Sequence, residues 1–112
     1  MAPDQRLGEL EQLLLLAVLR LGDEAYGTVI IAELRERSGR DVGPGTLYPT
    51  LDRLGDKGLL DSRLGDPTPE RGGRAKRFFS LTPAGLEAVR LAWREMARLA
   101  DGLEGILDSG SV

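Results

Sequence analysis

Residues 45–54 read Gly45-Thr46-Leu47-Tyr48-Pro49-Thr50-Leu51-Asp52-Arg53-Leu54, and residues 71–82 read Arg71-Gly72-Gly73-Arg74-Ala75-Lys76-Arg77-Phe78-Phe79-Ser80-Leu81-Thr82. Leu47, Leu51 and Leu54 recur at i, i+4 and i+7, which predicts an amphipathic helix running to about Lys57 and stopped by Gly58. After it, Leu60, Ser62 and Leu64 alternate with Asp61 and Arg63, and later Phe79 and Leu81 alternate with Phe78 and Ser80. Period-two alternation predicts two strands. The segment between them, from Gly65 to Lys76, is polar and rich in glycine and proline, so a hairpin with an extended, mobile tip is expected.

Upstream, leucines from Leu7 to Leu21 are too dense for one face of a surface helix, so the first helix is expected to be buried on two sides. Gly22-Asp23 ends it. A second helical pattern runs through Ile30, Ile31 and Leu34 to Ser38, with Gly39 suited to a C-terminal cap. Downstream, Thr82 offers an N-cap and Pro83 the first helical position. From there Leu86, Val89, Trp93, Met96, Ala100, Leu103 and Leu107 are spaced alternately by three and four residues, the a/d signature of a coiled-coil seam. One helix over residues 82–108 is expected, frayed at its end by Gly102 and Gly105, with a disordered tail over 109–112.

A mainly α chain with one antiparallel hairpin in this order has the outline of a winged helix-turn-helix, occupying residues 1–81. That outline points to duplex DNA. In such a unit the second helix of the pair enters the major groove by its N-terminal end. Thr46, Tyr48, Pro49, Thr50 and Arg53 fall at that end, and Lys57 lies farther along, better placed for a phosphate. A threonine can address a base edge or a thymine methyl, and an arginine can grip guanine. The plainer reading is that the threonines only cap and solvate a helix start. Pro49 requires that the helix start near Thr46 or that its first turn be distorted, because proline inside a helix removes a hydrogen bond.

The loop Arg71–Arg77 carries four bases, two glycines and no acid. Arg71, Gly73, Arg74 and Lys76 are its candidate contacts, since bare glycine backbone can approach a phosphate or lie along a minor groove. A solvated tip without function is the alternative, and four uncompensated charges so close together argue against it.

The chain has 112 residues, enough for one small domain, and a formal net charge of −3. Residues 44–77 hold seven bases against five acids, a local surplus of two, which leaves the remainder five charges negative. Attraction for phosphate depends on the local patch. Cysteine and histidine are absent, which disfavours thiolate and imidazole chemistry, disulfides and the usual metal sites; no cofactor is implied and an enzyme is not expected. Asp52 and Asp56 stand at i, i+4, where solvated surface charge is the ordinary reading of an acid pair. The longest apolar run, Leu13–Leu19, is far short of a membrane span, and a cytoplasmic protein is expected.

Leu7-Gly8-Glu9, Tyr26-Gly27, the 45–54 run, Gly58-Leu59-Leu60, the basic Gly-Gly loop and Leu81-Thr82-Pro83-Ala84-Gly85, taken together in this order, closely resemble the PadR family of bacterial transcriptional regulators. With a single helix after the wing, the chain is similar to the compact subgroup. The resemblance implies a homodimeric repressor whose first helix (Leu10, Leu14) and last helix form the interface, bound to a pseudo-palindromic operator. It also includes the Tyr-Pro pair within the recognition helix. Gly55 departs from a common glutamate, and Phe78-Phe79 from a tyrosine-containing pair. The family often releases DNA when an aromatic small molecule binds near the dimer interface, and Trp93 and Met96 are placed to line such a pocket. The simpler reading makes them interface core. Two rival functions stay open at this point: a winged-helix module that docks an acidic protein, and a ligand-binding dimer without sequence-specific DNA contacts.

Overall fold

The computed structural model describes residues 6–65 and 75–109. Helix α1 spans Glu9–Leu21, α2 Gly27–Ser38 and α3 Pro44–Asp56; strands β1 (Leu60–Leu64) and β2 (Arg77–Leu81) follow, then α4 (Pro83–Ala100) and a short α5 (Glu104–Asp108). The wing-tip residues Arg71, Gly73 and Arg74, and the end of the tail, lie outside the described residues.

The helices bury the leucines that their periodicity singled out. Leu14, Leu15 and Val18 of α1, Ile30 and Leu34 of α2, and Leu47, Leu51 and Leu54 of α3 meet Leu59, Phe79 and Val89 in one core. Each such side chain contributes about 1.5–3 kcal/mol on leaving water. Leu14 is fully buried within its own chain, so it is core and presents nothing to a partner. Val89 is likewise taken up by the core, at 8% exposure. Leu10 and Leu86 are half-buried.

β1 and β2 pair antiparallel, with Leu60 opposite Leu81, Ser62 opposite Phe79 and Leu64 opposite Arg77. The ladder runs on into the wing, where the Gly65 amide donates to the Lys76 carbonyl at 2.7 Å. On its other edge β2 receives Tyr26, bridged to Phe78, and the Phe79 amide donates to the Ala25 carbonyl at 2.8 Å. The wing is thereby tied to the start of α2.

Thr82 caps α4 by accepting the Gly85 amide at 3.0 Å, while its hydroxyl donates to the Gly58 carbonyl at 2.6 Å. One side chain thus joins the end of α3 to the start of α4. Gly85 permits the contact, because a Cβ there would stand 2.0 Å from the Leu59 carbonyl oxygen.

Two expectations change. α3 begins at Pro44, not near Thr46: Gly43 is its N-cap, Pro44 takes the first-turn position proline favours, and Pro49 falls inside the helix. The bond lost is the one to the Gly45 carbonyl, in an exposed first turn that water can reach. The single helix over 82–108 is instead broken after Ala100, where Gly102 adopts φ 84°. Leu103 and Leu107 therefore leave the line of the α4 seam.

Candidate nucleic-acid interface

With Leu47, Leu51 and Leu54 turned inward, α3 exposes Thr46, Tyr48, Pro49, Asp52 and Arg53. Tyr48 lies over the start of α2 so closely that a Cβ at Gly27 would stand 2.0 Å from its hydroxyl. Glycine at 27 is what lets the ring lie there.

Two of the residues that the sequence offers for DNA contact are held within the fold. Thr50 is 2% exposed, and its hydroxyl donates back to the Thr46 carbonyl at 2.8 Å, a local bond that competes for its polar group. The Lys57 ammonium donates to Glu11 Oε2 at 2.9 Å, across to α1. Arg53 has its Nε 3.6 Å from the same carboxylate and a second nitrogen 3.5 Å from the Thr50 hydroxyl. More than half of its side chain still faces solvent, so its outer edge can meet a ligand.

Glu11 was not legible as part of this site. Its other oxygen accepts the Gly8 amide at 2.8 Å, satisfying an unpaired donor at the start of α1. Burial raises its pKa, but the Gly8 amide, the Lys57 hydrogen bond and the charges of Lys57 and Arg53 outweigh it, and the net shift is downward. The Gly8–Glu11 spacing signals the first contact. Nothing local signals the second, 46 residues away.

The hairpin base interleaves cations with rings. Lys76 Nζ lies 4.2 Å from the Tyr26 ring centre, the Arg63 guanidinium 4.6 Å from Phe78 and the Arg77 guanidinium 5.0 Å from Phe79. Tyr26 meets Phe78 edge-on, centroids 5.4 Å apart. Such contacts hold long cationic side chains in place and are worth about 0.5–1 kcal/mol each at exposed sites. Arg77 also pairs with Asp52 of α3 at 3.3 Å, an exposed bridge between the wing base and the exposed helix. Arg63, Arg77 and Tyr26 join the candidates here; the cross-strand pairing of Arg63 with Phe78 needs the register, which the sequence leaves open.

A groove of about 450 Å³ lies where these elements converge, lined by Tyr26, Gly27, Thr28, Tyr48, Lys76 and Arg77. The first residues of α2 open into it, bringing the positive end of a helix dipole. Helix start, phenol and ammonium together suit a phosphate. Trp93 and Met96 stand apart on α4, 69% and 63% exposed. A second cavity, about 600 Å³, lies between the start of α1 and α4 and is lined by Leu7, Gln12, Ala88, Leu91 and Ala92 among others, but by neither Trp93 nor Met96. The groove beside Tyr48 is not lined by them either. Among the described residues no helix is long and apolar enough to cross a membrane, and no cluster of acids could hold a metal ion.

Residues 15–91 match the model of the transcriptional regulator PadR-like family. The chain is 44% identical over 81 residues to the transcriptional regulator Rv3488 of Mycobacterium tuberculosis, spanning 68% of this chain and 69% of that one. It is 38% identical over 55 residues to the transcriptional activator GvpE of Haloferax mediterranei, which covers 49% of this chain but only 28% of the relative. Among solved structures, a PadR-like transcription factor from Bacteroides fragilis superposes with a TM-score of 0.71 at 28% identity, covering 87% of this chain and 88% of that one. A match over most of the chain, with the mainly helical fold and its hairpin reproduced, places the protein in the PadR-like family of transcriptional regulators, and it is a regulator rather than an enzyme.

Proposed function

We propose that the protein binds duplex DNA sequence-specifically as a homodimer, each chain contributing one recognition helix and one wing. The observation that carries the reading is the convergence of the α3 start, the α2 start and the cation-bearing wing base on one groove that holds Tyr48 and Lys76 together. In this reading Thr46, Tyr48, Pro49 and Arg53 face base edges, the groove seats a backbone phosphate, and Arg71, Gly73, Arg74 and Lys76 extend the contact outward. Thr50 and Lys57 are omitted, being held within the fold.

Pairing is the second half of the reading. Leu91, Trp93, Met96 and Leu99 of α4, and Ile106 and Leu107 of α5, are large apolar side chains left exposed on a chain of 112 residues. Surfaces of this kind mark protein contacts. A two-fold pair would set two recognition helices about one turn of DNA apart, roughly 34–36 Å. The regulator is a repressor in this reading, acting in the cytoplasm, and an aromatic molecule seated where two copies meet at Trp93 and Met96 would release it. GvpE is named an activator, so the sign of regulation belongs to the proposal.

Recovering the duplexes that the protein retains from a random-sequence pool tests the reading. Enrichment of a two-fold symmetric site supports it. Retention without enrichment, or no retention, contradicts it.

A further inference from the structure

Glu11 sits at the junction of α1 and α3 and belongs to neither the apolar core nor the exposed face. Its carboxylate is 9% exposed and is shared three ways: Oε1 takes the Gly8 amide at 2.8 Å, while Oε2 takes Lys57 at 2.9 Å and faces Arg53 at 3.6 Å. From Arg53 the chain of contacts continues along α3 to the Thr50 hydroxyl and on to the Thr46 carbonyl. A carboxylate withdrawn from water is expensive unless paired, and this one is paired with Arg53 of α3 and with Lys57 at its C-terminal cap. Its position therefore governs how those two cations face anything outside.

We propose that Glu11 is a positioning residue for the recognition helix: it retains Lys57 within the fold and holds Arg53 along α3, so that Arg53 reads bases while Lys57 adds no phosphate contact. The proposal rests on the DNA-binding reading above. Its effect is on discrimination. A cation spent on Glu11 contributes nothing to sequence-independent attraction, whereas a cation freed from it adds to binding of every duplex. The Lys57 side chain is 32% exposed at the end of the helix, near enough to the surface to swing outward once released.

The test uses the full chain and a mixed-sequence duplex of about 30 base pairs, with affinity measured against KCl from about 50 to 200 mM, where each phosphate neutralised contributes about 0.9 to the log-log slope. Wild type, Glu11→Gln, Lys57→Gln and the double variant are compared. Gln at 11 keeps an acceptor for Gly8 and removes the charge. The slope should steepen by about one in Glu11→Gln, stay at the wild-type value in Lys57→Gln, and return to it in the double variant. An unchanged slope in folded Glu11→Gln overturns the proposal. So does a slope flattened by about one in Lys57→Gln, which would place Lys57 on phosphate already; that comparison decides the matter if Glu11→Gln does not fold. Absence of salt-dependent binding by the wild type would sink the DNA reading itself, a result distinct from wild-type binding that Glu11 leaves untouched.

Discussion

Tyr48 on α3 rests against Gly27 at the start of α2, with its hydroxyl where a Cβ at position 27 would be. The phenol thus occupies space that a side chain at position 27 would fill, and it lines the groove beside the start of α2.

Gly27→Ala should therefore move Tyr48 without unfolding the chain, because the atom in the way ends a side chain whose residue is 39% exposed and can rotate outward. Loss of Gly at a helix start offsets part of the strain, so stability in urea should change by less than about 1 kcal/mol. Affinity for a selected duplex should fall by about tenfold, the equivalent of one polar contact of about 1.4 kcal/mol. Unchanged affinity would remove Tyr48 from the interface.

The lowered pKa of Glu11 gives stability a pH dependence of definite sign. A carboxyl whose folded value lies below its unfolded value of about 4.5 binds fewer protons when folded. Its contribution is therefore complete above the unfolded value and is lost as pH falls through the folded one. Urea midpoints of wild type and Glu11→Gln should differ most near neutrality and converge in acid. A gap that is constant with pH would mean that the charge of Glu11 does not stabilise the fold.

Met96→Glu should give a monomer in sedimentation while the fold persists, since Met96 is 63% exposed and lies outside the core of its own chain. Val89 could not serve, because it is core and its loss would loosen the anchor of α4. Uncoupling two half-sites removes an effective-concentration advantage of about 10²–10⁴, and affinity for a symmetric duplex should drop by that order. A dimer that persists would shift the interface elsewhere.

Trp93 is the only tryptophan, so its fluorescence reports on the α4 surface without ambiguity. Aromatic cations or phenols should quench it saturably and weaken DNA binding in parallel. Quenching that leaves DNA binding unchanged would make the site a binding surface without regulatory effect.

Periodicity made the fold legible: Leu47, Leu51 and Leu54 are all buried, Gly39 and Gly22 end their helices, and Thr82 caps α4 as its sequence context requires. Where the sequence misled, a distant or competing contact decided. Thr50 looks like a surface threonine until its hydroxyl turns back on Thr46, and Lys57 looks like a free cation until α1 brings Glu11 to it. Leu14 shares a spacing with the leucines that the sequence offers for an interface, and only packing assigns it to the core. The heptad overran its helix because spacing takes no account of a backbone that Gly102 lets turn. The groove of Tyr26, Tyr48 and Lys76 joins three separate elements, which no local pattern announces.

The most direct measurement of the central claim is the salt dependence of affinity for a selected duplex, wild type against Arg74→Ala/Lys76→Ala. Two phosphate contacts removed should flatten the log-log slope by about 1.8, with folding and dimerisation unaltered. Equal slopes for the two proteins would contradict a DNA-reading wing.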